Sequence, residues 1–199
     1  MPSDTDAAPR AQARAELLVV ALEQFAVDGY HATSLQQIAD RAGYAKSNVL
    51  YHFGSKEGLL NAALSAAVDD LAALVDTFPR RGAGVDPREF VERFVDYLFA
   101  HRLEVVLIVN QGQSLADVPV VDRAMAVIAR LALEICSEDA SIAEQLRFGV
   151  ALAGAAYTLV AGRTILGGTL EPEDGDAEAR TALVDILAEL LAPAARPLG

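Results

Sequence analysis

The sequence predicts an all-α protein, with an N-terminal helix-turn-helix domain followed by a larger helical domain. Apolar residues recur at spacings of three and four along most of the 199-residue chain, as they do on one face of an α-helix. Glycine, proline and polar clusters interrupt this pattern where helices are expected to begin and end. No stretch of useful length shows the alternation that is typical of a strand.

Three helices are predicted in the first quarter of the chain. The first spans about residues 10–27, where leucine and phenylalanine recur at helical spacing. Ser34 followed three positions later by Gln37 is a capping-box pattern, so a second helix begins there. This helix ends at Gly43, a residue suited to the left-handed conformation that closes helices. A short third helix is predicted over 46–53.

The remaining helices follow the same reasoning. Ser55 can cap a fourth helix that extends towards Phe78, and the segment PRRGAGVDP at 79–87 interrupts the pattern. The later helices are predicted at 88–100, 103–110, 120–136, 141–166 and 176–191. The domain boundaries are predicted as a disordered tail over 1–9, a helix-turn-helix domain over 10–56, a C-terminal domain over 57–192 and a loose tail over 193–199.

Charge is unevenly distributed along the chain. The formal net charge is -12, and residues 1–60 carry five lysines and arginines against seven acids. Residues 41–56 contain Arg41, Lys46 and Lys56 and no acid, and these two lysines are the only lysines in the protein. Such a composition excludes indiscriminate nucleic-acid binding, but it predicts one local cationic face that can meet phosphate.

The sequence favours a soluble, cytoplasmic protein. Cys136 is the only cysteine and cannot form an internal disulfide, which is typical of a reducing compartment. We interpret it as a small core residue. The most membrane-like run, 148–162, has 15 residues, fewer than the roughly 20 that a spanning helix needs. The first ten residues lack the order of a signal peptide.

The third helix carries the residues that point to function. A short helix, a glycine turn and a second short helix allow the second one to enter a major groove while its neighbour braces on the backbone. Val49 is expected to pack back on the crossing. Asn48 suits bidentate contact with adenine and Lys46 suits guanine or phosphate. The alternative interpretation is a solvated helix face that carries a buried aromatic residue.

These motifs resemble one family across residues 10 to 60. The matching pieces are Thr33-Ser34-Leu35, Ile38-Ala39, Ala42-Gly43, NVLYHF and Ser55-Lys56-Glu57-Gly58-Leu59-Leu60. They are similar to the N-terminal DNA-binding domain of the Tet repressor (TetR) family of bacterial transcription regulators. The resemblance implies a homodimeric repressor that binds double-stranded, palindromic operator DNA and is released by a small molecule.

The resemblance also implies which residues contact DNA. Thr33 and Ser34 would cap the second helix near a phosphate, and Gln36 would reach a base. The full implied set is Thr33, Ser34, Gln36, Lys46, Ser47, Asn48, Tyr51, His52 and Lys56. Two positions depart from the family: Leu50 stands where a tyrosine is common, and Ala45 stands where a serine or threonine commonly caps the recognition helix.

Two further surfaces are predicted in the C-terminal domain. Small residues in the long helix and leucines in the last helix would form a dimer seam like that of a four-helix bundle, whereas an intramolecular core is the alternative. The dimer set is Gly149, Ala153, Gly154, Leu183, Ile186, Leu187 and Leu190. Polar residues scattered among apolar helices suggest an effector pocket. The pocket set is Phe94, Tyr97, Leu98, His101, Asn110, Gln113, Met125 and Tyr157.

Two competing classes of function remain at this point. An enzyme is disfavoured because the three histidines are far apart in sequence and no catalytic or nucleotide-binding motif is present. The sequence likewise predicts no metal and no cofactor. A helical protein-interaction adaptor would keep the dimer without using the cationic face. Substitution of Lys46 and Asn48 separates these classes, since only a regulator would lose operator binding.

Overall fold

The computed structural model describes residues 7–78, 87–135, 141–165 and 176–191. Within these residues all regular secondary structure is helical, as predicted. The helices are α1 (Ala7–Val27), α2 (Leu35–Ala42), α3 (Lys46–Phe53), α4 (Lys56–Asp76), α5 (Pro87–Ala100), α6 (Arg102–Gln111), α7 (Pro119–Ile135), α8 (Ile142–Ile165) and α9 (Asp176–Leu191), with a 3-10 turn at Gly112–Leu115 between α6 and α7.

Proline marks the start of two of the described helices. Pro87 and Pro119 open α5 and α7, where the fixed φ of proline suits the first helical position and its missing N–H costs nothing. The predicted helix starting near residue 10 begins three residues earlier, at Ala7. Cys136, residues 79–86 of the predicted break and residues 193–199 of the predicted tail lie outside the described residues.

The chain forms two compact units, and the first comprises Met1–Asp69 with Val106–Met125. Its core joins α1, α2 and α3 to the first part of α4, the end of α6 and the start of α7. The fully buried side chains include Leu17, Phe25, Ile38, Val49, Leu59, Leu60 and Leu64. The prediction that Val49 packs against the α2 crossing is confirmed, because Val49, Ile38 and Ala39 belong to one buried cluster.

The second unit comprises Asp70–Val105 with Ala126–Gly199. Phe90 stands at the centre of an aromatic cluster, with its ring centroid 5.0 Å from Phe78 and 6.3 Å from Phe94. At the surface, two ion pairs join α5 to α9. They are formed by Asp96 with Arg180 and by Arg88 with Asp185.

The compact units cut across three helices. The unit boundaries fall inside α4, α6 and α7, so each of these helices contributes residues to both units. Residues 106–125 pack with the N-terminal helices although they are distant in sequence. The functional boundary predicted between residues 56 and 57 concerns where DNA binding ends, and it stays a prediction.

One described helix, α4, is long and apolar enough to cross a membrane when judged by length and composition alone. In its most apolar 18-residue window, 44% is buried inside the structure. A helix that supplies core residues to a folded protein meets the same criteria, so this feature is weak support for a membrane segment.

Candidate nucleic-acid interface and ligand pocket

The start of α2 is closed by the predicted capping box. The Ser34 hydroxyl accepts a hydrogen bond of 3.2 Å from the backbone N–H of Gln37. In return, the Gln37 side-chain oxygen accepts one of 2.8 Å from the backbone N–H of Ser34. Two N–H groups that a helix start leaves unpaired are thereby satisfied. Ser34 remains exposed, at the end of the helix dipole that attracts anions.

Thr33 does not share this capping role, and that part of the prediction is wrong. Its side chain is only 3% exposed. Its hydroxyl donates a 2.8 Å hydrogen bond to the backbone oxygen of Gly29 and also lies 3.4 Å from that of Gln24. A β-branched threonine is easily held in one rotamer by such neighbours. Thr33 therefore supports the turn after α1 instead of presenting a hydroxyl to solvent.

The turn between α2 and α3 depends on Gly43. Gly43 has φ 76°, a left-handed conformation that a residue with a side chain adopts only at a cost. Its N–H and that of Tyr44 donate to carbonyls at the end of α2, including that of Ala39 at 2.8 Å from Tyr44. The Tyr44 hydroxyl donates a 2.6 Å hydrogen bond to Glu16 on α1. The turn is thus held to α1 as well as to α2.

This hydrogen bond also changes the acidity of both partners. The Tyr44 hydroxyl, and to a smaller extent the Gln12 amide, lower the pKa of Glu16 by stabilising its carboxylate. The same bond to Glu16 raises the pKa of the Tyr44 phenol. Glu16 is therefore held ionised as an acceptor, and Tyr44 as a donor.

The first turn of α3 presents its polar side chains to solvent. Lys46, Ser47 and Asn48 are all exposed, while Val49 is completely buried and anchors the helix from behind. Ala45 precedes them with an extended backbone and no side-chain oxygen that could cap the helix. The start of α3 therefore has no side-chain cap, and its lysine, serine and asparagine side chains are exposed.

Three aromatic rings lie next to each other at the end of α3, and they differ in exposure. Tyr51 is 71% exposed, whereas His52 is half-buried. The ring centroid of His52 lies 5.2 Å from that of Tyr51 and 5.9 Å from that of Phe53. His52 is therefore held between its two neighbours, and Tyr51 is the ring that reaches furthest into solvent.

Among the remaining implied DNA contacts, Gln36 and Lys56 have partners of their own. The Gln36 amide nitrogen donates a 2.7 Å hydrogen bond to Asp40, one turn later on the exposed face of α2. The Lys56 ammonium lies 4.2 Å from the ring centroid of Tyr30, a cation–π contact. Partial burial lowers the pKa of Lys56. Tyr30 thus positions the lysine near the start of α4.

Sequence reasoning missed Gln111, which holds this group of residues from behind. Its side-chain oxygen accepts a hydrogen bond from the backbone N–H of Tyr30 at 2.7 Å, and its amide donates to the backbone oxygen of Phe25 at 2.8 Å. Both partners are more than 80 positions away in sequence. Nothing in the local pattern distinguishes Gln111 from the neighbouring polar residue Gln113, so no sequence signal could have found it.

The cationic segment is only partly neutralised. Arg41 forms a 3.4 Å ion pair with Glu23, and both side chains are exposed. Lys46 makes no ion pair with any residue that the structure describes. An exposed pair of this kind contributes little to stability and is easily replaced by another anion. Lys46 and Arg41 are therefore both available to a phosphate.

In the second unit, two of the predicted pocket residues meet at one cavity. Tyr97 and His101 line a pocket of about 340 Å³ that opens to solvent. Its complete lining is Asp70, Ala73, Leu74, Arg93, Asp96, Tyr97, Ala100 and His101. His101 Nε2 lies 2.9 Å from Asp70 Oδ2, and the ring centroids of Tyr97 and His101 are 5.1 Å apart.

The structure does not bring the other predicted pocket residues to this cavity. Phe94 and Leu98 are buried in the aromatic core of the second unit. Tyr157 is 54% exposed and does not line the cavity. The remaining three, which are Asn110, Gln113 and Met125, belong to the first unit. The sequence suggested this set only because polar residues are scattered among apolar helices, and that pattern does not specify which residues line one cavity.

A continuous apolar face on α8 contains three of the seven residues of the predicted dimer set. Gly149, Ala153 and Gly154 are exposed, and an added Cβ at either glycine would lie more than 4 Å from any described neighbour. Exposed apolar side chains extend this face in both directions along the helix. They are Ile142, Leu146, Val150 and Tyr157.

On α9, Ile186 and Leu190 are exposed and Leu183 is half-buried. Leu187 is only 1% exposed and packs in the core of its own unit. Its inclusion in the dimer set is therefore wrong, because the core of its own subunit already buries it. Among the described residues there is no cluster of histidine, cysteine and acidic side chains that could hold a metal ion.

Comparison with known proteins identifies the N-terminal region. A sequence model described as "Bacterial regulatory proteins, tetR family" matches residues 17–63. The HTH-type transcriptional activator FasR of Mycolicibacterium smegmatis is 45% identical over 65 residues, 33% of this chain and 30% of FasR. The HTH-type transcriptional regulator RutR of Escherichia coli K12 is 44% identical over 62 residues, 31% of this chain and 29% of RutR. The chain thus spans about a third of the length of these curated relatives.

The fold extends the likeness to most of the chain. A solved structure of the ketosteroid transcriptional regulator KstR2 of Mycobacterium tuberculosis superposes with a TM-score of 0.64 at 21% identity. The superposition covers 88% of this chain and 93% of that one. At this identity the likeness shows a shared fold, and the residues of the C-terminal region have to be interpreted on their own.

Proposed function

Because this chain belongs to the TetR family of bacterial regulatory proteins, we propose that it is a sequence-specific, ligand-responsive regulator that binds a palindromic operator and represses transcription. The observation that carries the proposal is the exposed first turn of α3, where Lys46, Ser47 and Asn48 face solvent from a helix anchored by Val49. These are the residue types that read base edges and grip phosphate in a major groove.

The regulator acts as a homodimer. The exposed face of α8 that contains Gly149, Ala153 and Gly154 permits close approach of a second helix, and Ile186 and Leu190 of α9 add apolar area. Burial of this face against a second copy removes apolar surface from water. Two recognition helices would then engage one side of the DNA when they are about 34–36 Å apart.

A small-molecule effector controls this dimer. Helix α4 begins at Lys56 and contributes to both compact units, so a change in its tilt alters the spacing of the two recognition helices. A ligand releases DNA only as far as it prefers the non-binding conformation, and operator must weaken ligand binding by the same factor. Tyr97 and His101 support the proposal of an effector site in the second unit.

Selection of bound DNA from a random pool tests the proposed function. We expect the wild-type protein to enrich a palindromic sequence, and the Lys46→Ala and Asn48→Ala variants to bind that sequence at least about fivefold more weakly, since each contact of this kind is worth about 1–3 kcal/mol. A cytoplasmic adaptor with the same fold would enrich no sequence and would be indifferent to both substitutions.

A further inference from the structure

We propose that the pocket lined by Tyr97, Arg93 and His101 binds a small monocarboxylate with a short apolar chain. The pocket lies entirely within the second unit. Its role as an effector site rests on the regulatory function proposed above, but ligand binding itself can be measured without DNA.

The first ground for this inference is an unpartnered phenol. Tyr97 is only 8% exposed, yet its hydroxyl makes no hydrogen bond to any described residue. Burial, with smaller contributions from the Glu104 and Asp70 carboxylates, raises the pKa of Tyr97 far above its usual value. The phenol is therefore protonated at neutral pH and offers a donor. Because Tyr97 lines an open pocket and no described side chain accepts from its hydroxyl, this donor is available to a ligand that supplies an acceptor.

The second ground is the guanidinium of Arg93. Arg93 precedes Tyr97 by one helical turn on α5, so the two side chains are neighbours on one face. Arg93 forms no ion pair within the described part of the chain. Arginine presents paired donors that match the two oxygens of a carboxylate. Two open donors thus lie side by side at the pocket.

The carboxylates of the pocket are, in contrast, already engaged. Both oxygens of Asp96 accept hydrogen bonds from Arg180, which lowers the pKa of Asp96. Asp70 Oδ2 lies within hydrogen-bonding distance of His101 Nε2, at 2.9 Å. The free hydrogen-bonding capacity of the lining is therefore dominated by donors, and this favours an anionic acceptor over a cationic ligand.

The remaining lining limits the size and charge of the ligand. Ala73, Leu74 and Ala100 supply a short apolar wall, and a volume of about 340 Å³ is near the lower end for ligand pockets. The Asp70 side chain is 65% exposed at the rim and repels every negative charge on a ligand, so it disfavours a dianion more strongly than a monoanion. A monocarboxylate fits these conditions, whereas a dicarboxylate of the same length does not.

The test is titration calorimetry on the full chain with four six-carbon probes: hexanoate, hexanamide, hexylamine and adipate. We expect hexanoate to bind at least about tenfold more tightly than the other three, since a hydrogen bond to a charged group is worth about 1.5–3 kcal/mol. Equal binding of hexanamide, or tighter binding of hexylamine, would overturn the inference.

Matched variants locate the site. Tyr97→Phe removes the hydroxyl and Arg93→Gln removes the charge. Each substitution should weaken the binding of hexanoate about tenfold. Tyr157→Phe and Arg147→Gln are the matched controls, because they remove a hydroxyl and a charge from α8, away from the pocket. Both should leave hexanoate binding unchanged. Hexanoate affinities that are the same in all four variants would contradict the assignment.

A parallel DNA-binding assay separates this inference from the proposed function. If the protein binds its selected DNA sequence but none of the four probes, the inference fails and the regulatory function stands. If hexanoate binds through Tyr97 and Arg93 but no DNA sequence is enriched, the pocket assignment stands and the regulatory function fails.

Discussion

The side-chain oxygen of Gln111 accepts a 2.7 Å hydrogen bond from the backbone N–H of Tyr30, although 81 positions separate the two residues in sequence. The ring of Tyr30 in turn lies 4.2 Å from the ammonium of Lys56. Gln111 at the end of α6 and Lys56 at the start of α4 therefore share one intermediary. A displacement of the α6 terminus would therefore move Tyr30 first. Through Tyr30 it would also move Lys56, which the family resemblance implies in phosphate binding.

Substitution of Gln111 should destabilise the first unit. Gln111→Ala leaves the Tyr30 N–H and the Phe25 carbonyl without their partner, which costs about 1–3 kcal/mol when such groups are shielded from water. We expect a lower denaturant midpoint in urea unfolding. Gln113→Ala is the control, because Gln113 is exposed and makes no hydrogen bond to a described residue. Equal midpoints for the two variants would show that the bridge is not important for stability.

A cap added to the recognition helix should stabilise it. Ala45→Ser supplies the side-chain oxygen that the start of α3 lacks, and the extended backbone at this residue already suits a cap. The expected gain is about 1 kcal/mol in the free energy of unfolding. Urea denaturation measures it, with Ala32→Ser in the preceding exposed turn as the control. No gain from Ala45→Ser would mean that the serine rotamer does not reach the free N–H groups.

Lys56 and Asn48 should affect DNA binding in different ways. Lys56→Ala should weaken binding to every DNA sequence by a similar factor. It should also reduce the slope of log affinity against log salt concentration by about one, as expected for a phosphate contact. Asn48→Ala should instead relax the preference at one base position. Binding to a set of single-base operator variants at several salt concentrations measures both effects. The division of roles fails if the two substitutions give identical profiles.

A charge on the exposed face of α8 should prevent dimerisation. Gly154→Arg meets no described atom within 4 Å of the new Cβ, so the single subunit accommodates it. At a dimer seam it would bury an unpaired cation at a cost of several kcal/mol. Sedimentation velocity should then show monomers and weaker operator binding, while Gly154→Ala should remain dimeric. A dimeric Gly154→Arg protein would place the seam on another surface.

The hydrogen bond between Tyr44 and Glu16 should appear in the pH dependence of stability. The pKa of Glu16 is lower in the folded protein than in the unfolded chain. The ionised Glu16 therefore makes its full contribution to the free energy of unfolding above about pH 4.3. This contribution is lost as the pH falls through the pKa of the folded state. In Tyr44→Phe we expect the Glu16 pKa to rise towards its ordinary value, as measured by NMR titration of the carboxyl group.

Urea unfolding at neutral and acidic pH provides the second measurement for this bond. Tyr44→Phe should reduce the stability difference between the two conditions, whereas Tyr51→Phe should not, because Tyr51 is exposed and makes no side-chain hydrogen bond to a described residue. An unchanged Glu16 pKa in Tyr44→Phe would assign the shift to Gln12 instead.

Features that depend on neighbours in sequence could be predicted from the sequence. The capping box of Ser34 and Gln37, the left-handed Gly43 and the uncapped Ala45 each depend on residues within one helical turn. Helical periodicity identified the apolar faces for the same reason, and Val49 was correctly assigned to the core. The motifs around α2 and α3 were specific enough to indicate the family.

Features that depend on distant residues required the tertiary structure. Leu187 looked available for a partner, but it is buried in a cluster with side chains of α5 and α8. Thr33 looked available for DNA, but its hydroxyl turns to the backbone oxygens of Gly29 and Gln24, and the sequence does not specify that rotamer. Gln111 acquired its role only because the end of α6 packs beside the turn after α1. Of the predicted pocket polar residues, Tyr97 and His101 meet at one cavity while Tyr157 does not. A helical pattern specifies which face of a helix is apolar, but the free energy of packing decides which helix covers that face.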